Sequence, residues 1–226
     1  METKTQALNR LFTRWIRTYP QTAHDGFHRD GIIAEREFAR QPNRILFVLA
    51  EPNSTGGRFV RYRGADLRKV FGEEKLNKPL TRNLGLWTQM LLDGSSRYHV
   101  LSPSKSQVQI RRIAIMNLKK FSGSGKADYA GIGLHAWHDR AFIRRQVAII
   151  SPNLIITCGE RIHKVFGAVM HDNRFWSTET SWKWNVAPVE NVQHPATRGR
   201  NTLPAFRRLR EIARKNRVLT TCSSRL

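Results

Sequence analysis

The sequence holds only two cysteines, Cys158 and Cys222, far apart and one of them in a polar tail. This excludes a disulfide framework and a four-cysteine metal or iron–sulfur site, and it suits a reducing compartment. Acidic residues are scarce as well: 17 Asp and Glu stand against 39 Lys and Arg, a formal net charge of +22. With no acidic cluster near Glu51, a Mg²⁺-dependent nuclease lacks the paired carboxylates it needs. No apolar run approaches the ~18 residues of a membrane span, and no signal-peptide pattern opens the chain, so a cytoplasmic location is expected. Such an excess of positive charge attracts polyanions. Nucleic acid is the first candidate and an anionic membrane the weaker one. Internal repeats and long linkers are absent too. The 226 residues therefore read as a single domain over 1–217, with 1–44 as a helical lead-in and 218–226 as a tail expected to be disordered.

What is present is organised around ILFVLAEPN, Ile45 to Asn53. Consecutive apolar residues suit a strand buried on both faces, although periodicity alone does not separate it from a short buried helix. Pro52, Asn53, Ser54, Gly56 and Gly57 then signal a loop, which leaves Glu51 at a strand end. Ligands of open α/β sheets sit at such ends. A second strand, Ile113 to Met116, ends at Asn117, and a third in SPNLIITCGE ends at Gly159.

Helical spacing is predicted over Thr3–Tyr19, Ile33–Arg40, Asn83–Leu92, Leu134–Val147, Glu160–Val169 and Leu203–Asn216. Strands separated by helices predict a three-layer α/β/α fold with a central, mostly parallel sheet.

Around these elements lie polar and basic groups. GGRFVRYRGADLRK sets Phe59 and Tyr62 among Arg58, Arg61, Arg63 and Arg68, a mixture suited to phosphate contact and base stacking. Lys119 and Lys120, which follow the second strand, and Arg198 and Arg200 of QHPATRGR are expected to contact DNA phosphate as well, and the same last stretch brings His194. Each of these has a plainer reading: a strand-end Glu is commonly a structural ion pair, an Asn after a strand a turn former, His-Pro a turn. SGSGKAD fails as a phosphate-binding loop, because Ala127 follows Lys126 and Lys120 holds the first glycine position. His135 and His138 lack a cysteine nearby, with Asp139 expected to point elsewhere, so they are read as surface or core histidines.

In their order, EPN after ILFVLA, MNLKKF after RRIAI, PNLIITCG into a helix, and QHPATRG near the C-terminus resemble the uracil-DNA glycosylase superfamily, over roughly Ile45 to Ala213. The resemblance implies a fold of that type and a monofunctional glycosylase without cofactor or metal, for which a monomer is expected. It implies that Glu51 stabilises the sugar cation and orients water, and that Asn117 reads the edge of the flipped base. His194 would hydrogen-bond the base carbonyl. Asn53 stands where the most uracil-selective members carry a Tyr that blocks pyrimidine carbon 5. The implied substrate is then a bulky 5-modified cytosine of phage DNA, excised in antiviral defence, with uracil repair or a non-catalytic DNA-binding module as alternatives. Ala196 replaces a Ser, and Arg198 replaces an intercalating Leu, either as a wedge or as a phosphate clamp. Phe59, Phe71 and Trp87 are the candidate stacking rings, the last more suited to core packing.

Overall fold

A computed structural model describes residues 2–53, 63–95, 98–123, 127–173, 181–196 and 202–216. The strands are β1 (Gly31–Ile32), β2 (Ile45–Leu49), β3 (Ala114–Asn117), β4 (Leu154–Cys158), β5 (Ser181–Trp184) and β6 (Ala187–Val192). The helices are α1 (Lys4–Ile16), α2 (Glu35–Ala39), α3 (Leu67–Glu73), α4 (Pro79–Asp93), α5 (Pro103–Ile110), α6 (Tyr129–His138), α7 (Arg140–Ile150), α8 (Glu160–His171) and α9 (Thr202–Lys215).

The strands form one mixed sheet in the order β1-β3-β2-β4-β6-β5. Its inner strands β3, β2, β4 and β6 run parallel, while β1 and β5 pair antiparallel at the edges. All of β2 is buried, as its unbroken apolar run requires. Side chains alternate across the pleat: Leu46 and Val48 enter one core with Leu8, Phe12, Trp15 and Phe166, and Ile45, Phe47 and Leu49 enter the other with Leu84, Trp87 and Phe206. Helices thus cover both faces, compatible with the expected layering.

Local chemistry explains the helix ends. Thr3 caps α1, its hydroxyl accepting from Gln6 N while the Gln6 side chain accepts from Thr3 N. α4 starts with Pro79 and stops at Gly94, whose φ of 70° suits glycine. The stretch read as one helix from Leu134 to Val147 is two, α6 and α7, broken at Asp139. Asp139 is engaged rather than pointing elsewhere: its carboxylate accepts from Tyr19 Oη at 2.6 Å and contacts His138 Nδ1 at 2.8 Å. The basic stretch after the first loop is partly α3, and Arg68 does not face solvent. It is buried, bonded to Asp66 and Asn9.

α4 and α5 cross closely at Gly85, where a Cβ would sit 2.7 Å from Ser106 Cα. Gly85→Ala must push the helices apart, and an urea midpoint corresponding to about 1–3 kcal/mol of lost stability is expected. An unchanged midpoint would mean that the crossing yields freely.

Candidate active site

The chain passes from β2 to β3 on one side and then crosses to β4 on the other, so the sheet reverses direction beside β2. At such a switch point the loops leaving the parallel strands diverge and open a crevice. A cavity of about 560 Å³ lies there, lined by Glu51, Asn53, Asn117 and His194 among others. Four sequence-predicted site residues, from three separate motifs, thus share one cavity.

Glu51 follows β2 by two residues, and the parallel pairing runs on past the strands through Leu118 N to Leu49 O (3.0 Å) and Lys119 N to Ala50 O (3.0 Å). This register sets Lys119 beside Glu51, with Nζ 2.7 Å from Oε2. Both side chains are largely buried. Lys119, expected to contact phosphate, instead opposes the charge of the candidate catalytic carboxylate. Gly123, tied by its N–H to Pro52 O at 2.9 Å, lies flush against that carboxylate, and a Cβ there would overlap it. Gly123→Ala is therefore expected to displace Glu51 and lower activity about 100-fold, the scale of a 1 Å misplacement.

Asn117 ends β3 opposite Leu49 and is buried. Its backbone N–H donates to Asp30 Oδ2 at 2.7 Å and its Nδ2 to the same oxygen at 3.2 Å. Lys120 is a correction to the sequence reading: its side chain is fully buried, not on a DNA-facing surface. Nζ donates to Asp30 Oδ1 at 2.7 Å and Asn117 O at 2.8 Å, and lies 5.1 Å from the Trp15 ring centre. A buried ammonium needs such an anion, because desolvation alone disfavours its charge and lowers its pKa.

His194 sits two residues beyond β6 in the His-Pro turn. The turn is anchored to α4 by buried Asn83, whose Nδ2 donates to Pro195 O at 2.6 Å. His194 Nδ1 accepts the Ala196 N–H at 3.1 Å, which puts the proton of the neutral ring on Nε2. Burial lowers the imidazole pKa, so the neutral donor form prevails near pH 7. Activity is accordingly expected to hold from pH 8 down past the ordinary value of about 6.5 and to fall only at lower pH. Folding stability falls in the same direction. Below about 6.5 the unfolded chain takes this proton first, so acidification through that window removes stability. A rate falling already above pH 7 on acidification would contradict the neutral imidazole.

The aromatic faces among the described cavity residues are Phe71 of α3 and Tyr129 of α6. Trp87 is fully buried against Phe47 and belongs to the core. Tyr129 belongs to SGSGKADYAGIG, a stretch whose composition reads as flexible; the Arg161 guanidinium lies 4.8 Å from its ring centre. Buried His28 also lines the cavity, its Nε2 2.8 Å from Ser122 Oγ, with burial lowering its pKa. Arg63 is exposed. Arg58, Phe59, Arg61, Arg198 and Arg200 lie outside the described residues. Among the described residues no group of His, Cys, Asp or Glu could hold a metal ion, and no helix is long and apolar enough to cross a membrane.

Comparison with known proteins finds no matching family model and no matching curated protein.

Proposed function

We propose that the chain is a monofunctional DNA glycosylase that binds double-stranded DNA, flips a base into the switch-point cavity and hydrolyses its N-glycosidic bond. The observation that carries the reading is the meeting of Glu51, Asn117 and His194 on one cavity. A uracil-DNA glycosylase-like fold is part of the proposal, supported at the level of class by the helix-covered mixed sheet.

The chemistry follows from where charge develops. As the bond from C1′ to the base breaks, its electron pair leaves with the base and the sugar becomes cationic. The Glu51 carboxylate faces that cation and orients the water whose oxygen bonds to C1′, and the proton this water sheds passes by way of Glu51 to the departed base, which is released neutral. His194 Nε2–H donates to the base carbonyl as negative charge gathers there. Asn117 holds the base edge once the base has left the stack. The net charge of +22 supplies the attraction to DNA, and binding should weaken steeply with salt.

The substrate class we favour is a cytosine enlarged at carbon 5, as in modified phage DNA, which would make the role antiviral defence. Asn53 and a cavity of about 560 Å³ support it, since that volume falls among pockets that hold drug-sized ligands. The test is incubation with uracil-containing DNA and, separately, with phage DNA carrying hydroxymethylated or glucosylated cytosine. Base release from the modified DNA alone is expected. Release from uracil DNA would assign the chain to repair, and tight, salt-sensitive binding without release of any base would make it a binding module.

A further inference from the structure

We infer that Asp30, held by Lys120, is a positioning residue that fixes which face of the Asn117 amide a flipped base meets; the inference rests on the glycosylase reading. The two ends of a side-chain amide are alike in shape and opposite in hydrogen bonding, so an unrestrained Asn offers a base either pattern. Here the choice is made by a neighbour. Asp30 is 1 % exposed and ends in a carboxylate, which only accepts. Four donors converge on it: Asn117 N (2.7 Å) and Asn117 Nδ2 (3.2 Å) on Oδ2, Lys120 Nζ (2.7 Å) and Gln146 Nε2 (2.7 Å) on Oδ1. Turning the Asn117 amide over would set its oxygen against Oδ2, acceptor on acceptor, in a place closed to water.

Asn117 Oδ1 is therefore the acceptor kept for the ligand, together with the second Nδ2 proton. The base that fits must bring an N–H to this edge, such as the exocyclic amine of a cytosine or the imide N–H of a uracil, while a carbonyl elsewhere on the ring meets His194. A base with no N–H along that edge leaves Oδ1 unpaired and is disfavoured. Lys120 carries the restraint into the core: its ammonium bridges Asp30 Oδ1 and Asn117 O and packs 5.1 Å and 5.8 Å from the Trp15 and Phe12 ring centres on α1. The N-terminal helix, read from the sequence as a lead-in, is thereby the outer wall of the device that aims Asn117.

The test uses the full chain. Asp30→Leu removes the acceptors but alone leaves the buried ammonium without its anion and risks failure to fold, so it is paired with Lys120→Met, which removes that charge and keeps the apolar stem. Two measurements follow: hydrogen exchange of the Asn117 side-chain amide, assigned by its absence in Asn117→Ala, and single-turnover base release with DNA affinity measured alongside. In the Asp30→Leu/Lys120→Met protein, amide exchange is expected to quicken at least about 10-fold. Base release should fall about 100-fold with DNA affinity unchanged. Adding Asn117→Ala to that pair should cost nothing further, because both changes act through one amide. Unchanged exchange, full release in the paired variant, or losses that simply add would overturn the inference. If the native chain releases no base from any DNA, the proposed function fails, and amide exchange still decides whether Asp30 holds Asn117.

Discussion

The Glu51→Gln protein is expected to bind DNA as tightly as the native chain and to release base about 10²–10³-fold more slowly, the usual scale for removing one group aimed at developing charge. Glutamine keeps the length and shape of the side chain but not its charge. The change reaches Lys119, whose Nζ lies 2.7 Å from Oε2, so the charge of the ammonium would then stand uncompensated in the site. Loss of the anion and gain of net positive charge act in the same direction, against the transition state. DNA affinity moves the other way if at all, because the protein becomes one charge more positive. A rate constant within a few-fold of the native value, with folding intact, would remove Glu51 from the chemistry.

Lys120→Met is expected to cost about 3–5 kcal/mol of stability, the scale of breaking a buried ion pair, and to leave the salt dependence of DNA binding unchanged. Its Asp30 partner is 1 % exposed and loses a strong donor, while Asn117 O loses one as well. Had Lys120 contacted phosphate, the signature would be reversed: stability within about 0.5 kcal/mol and a salt slope smaller by about one. Chemical denaturation and a salt titration on one preparation separate the two.

That contrast shows which parts of the molecule were legible in the sequence. β2, β3 and β4 were, because unbroken apolar runs ending at Glu51, Asn117 and Gly159 have few other fates than buried parallel strands with loops at one edge. β6 was not. It contains Pro188 and a buried glutamate, Glu190, and both argue against a strand until Lys215 Nζ is found 2.9 Å from the Glu190 carboxylate. With β6 unseen, His194 read as a turn residue whose neighbours were unknown. Asp30 was hidden for a different reason. RDG is a common turn signal, and nothing local reports that β1 pairs with β3 and brings the carboxylate under Asn117. Lys119 and Lys120 looked equivalent as a basic pair, yet adjacent residues after a strand diverge: one reaches Glu51, the other the core.

The same geometry says why the site sits where it does. Four parallel strands deliver their ends to one edge, and the reversal of direction beside β2 separates the loops there. Backbone pairing carried beyond Leu49 and Asn117 fixes Glu51 against Lys119, while Asn83 and Ala196 fix the His-Pro turn from the other side. These contacts preset the positions of groups that a glycosidic bond would need.

If the chain is a glycosylase, this cavity breaks a bond between sugar and base. The most direct measurement is the intact mass of a duplex oligonucleotide carrying the modified cytosine after incubation with the native chain in the presence of a chelator. The expected product is an uncut strand in which one base has been exchanged for a hydroxyl, with the free base in solution. A shortened strand would place the chemistry at the phosphodiester, and an unaltered mass for that substrate and for uracil DNA, at protein concentrations that saturate binding, would contradict catalysis outright.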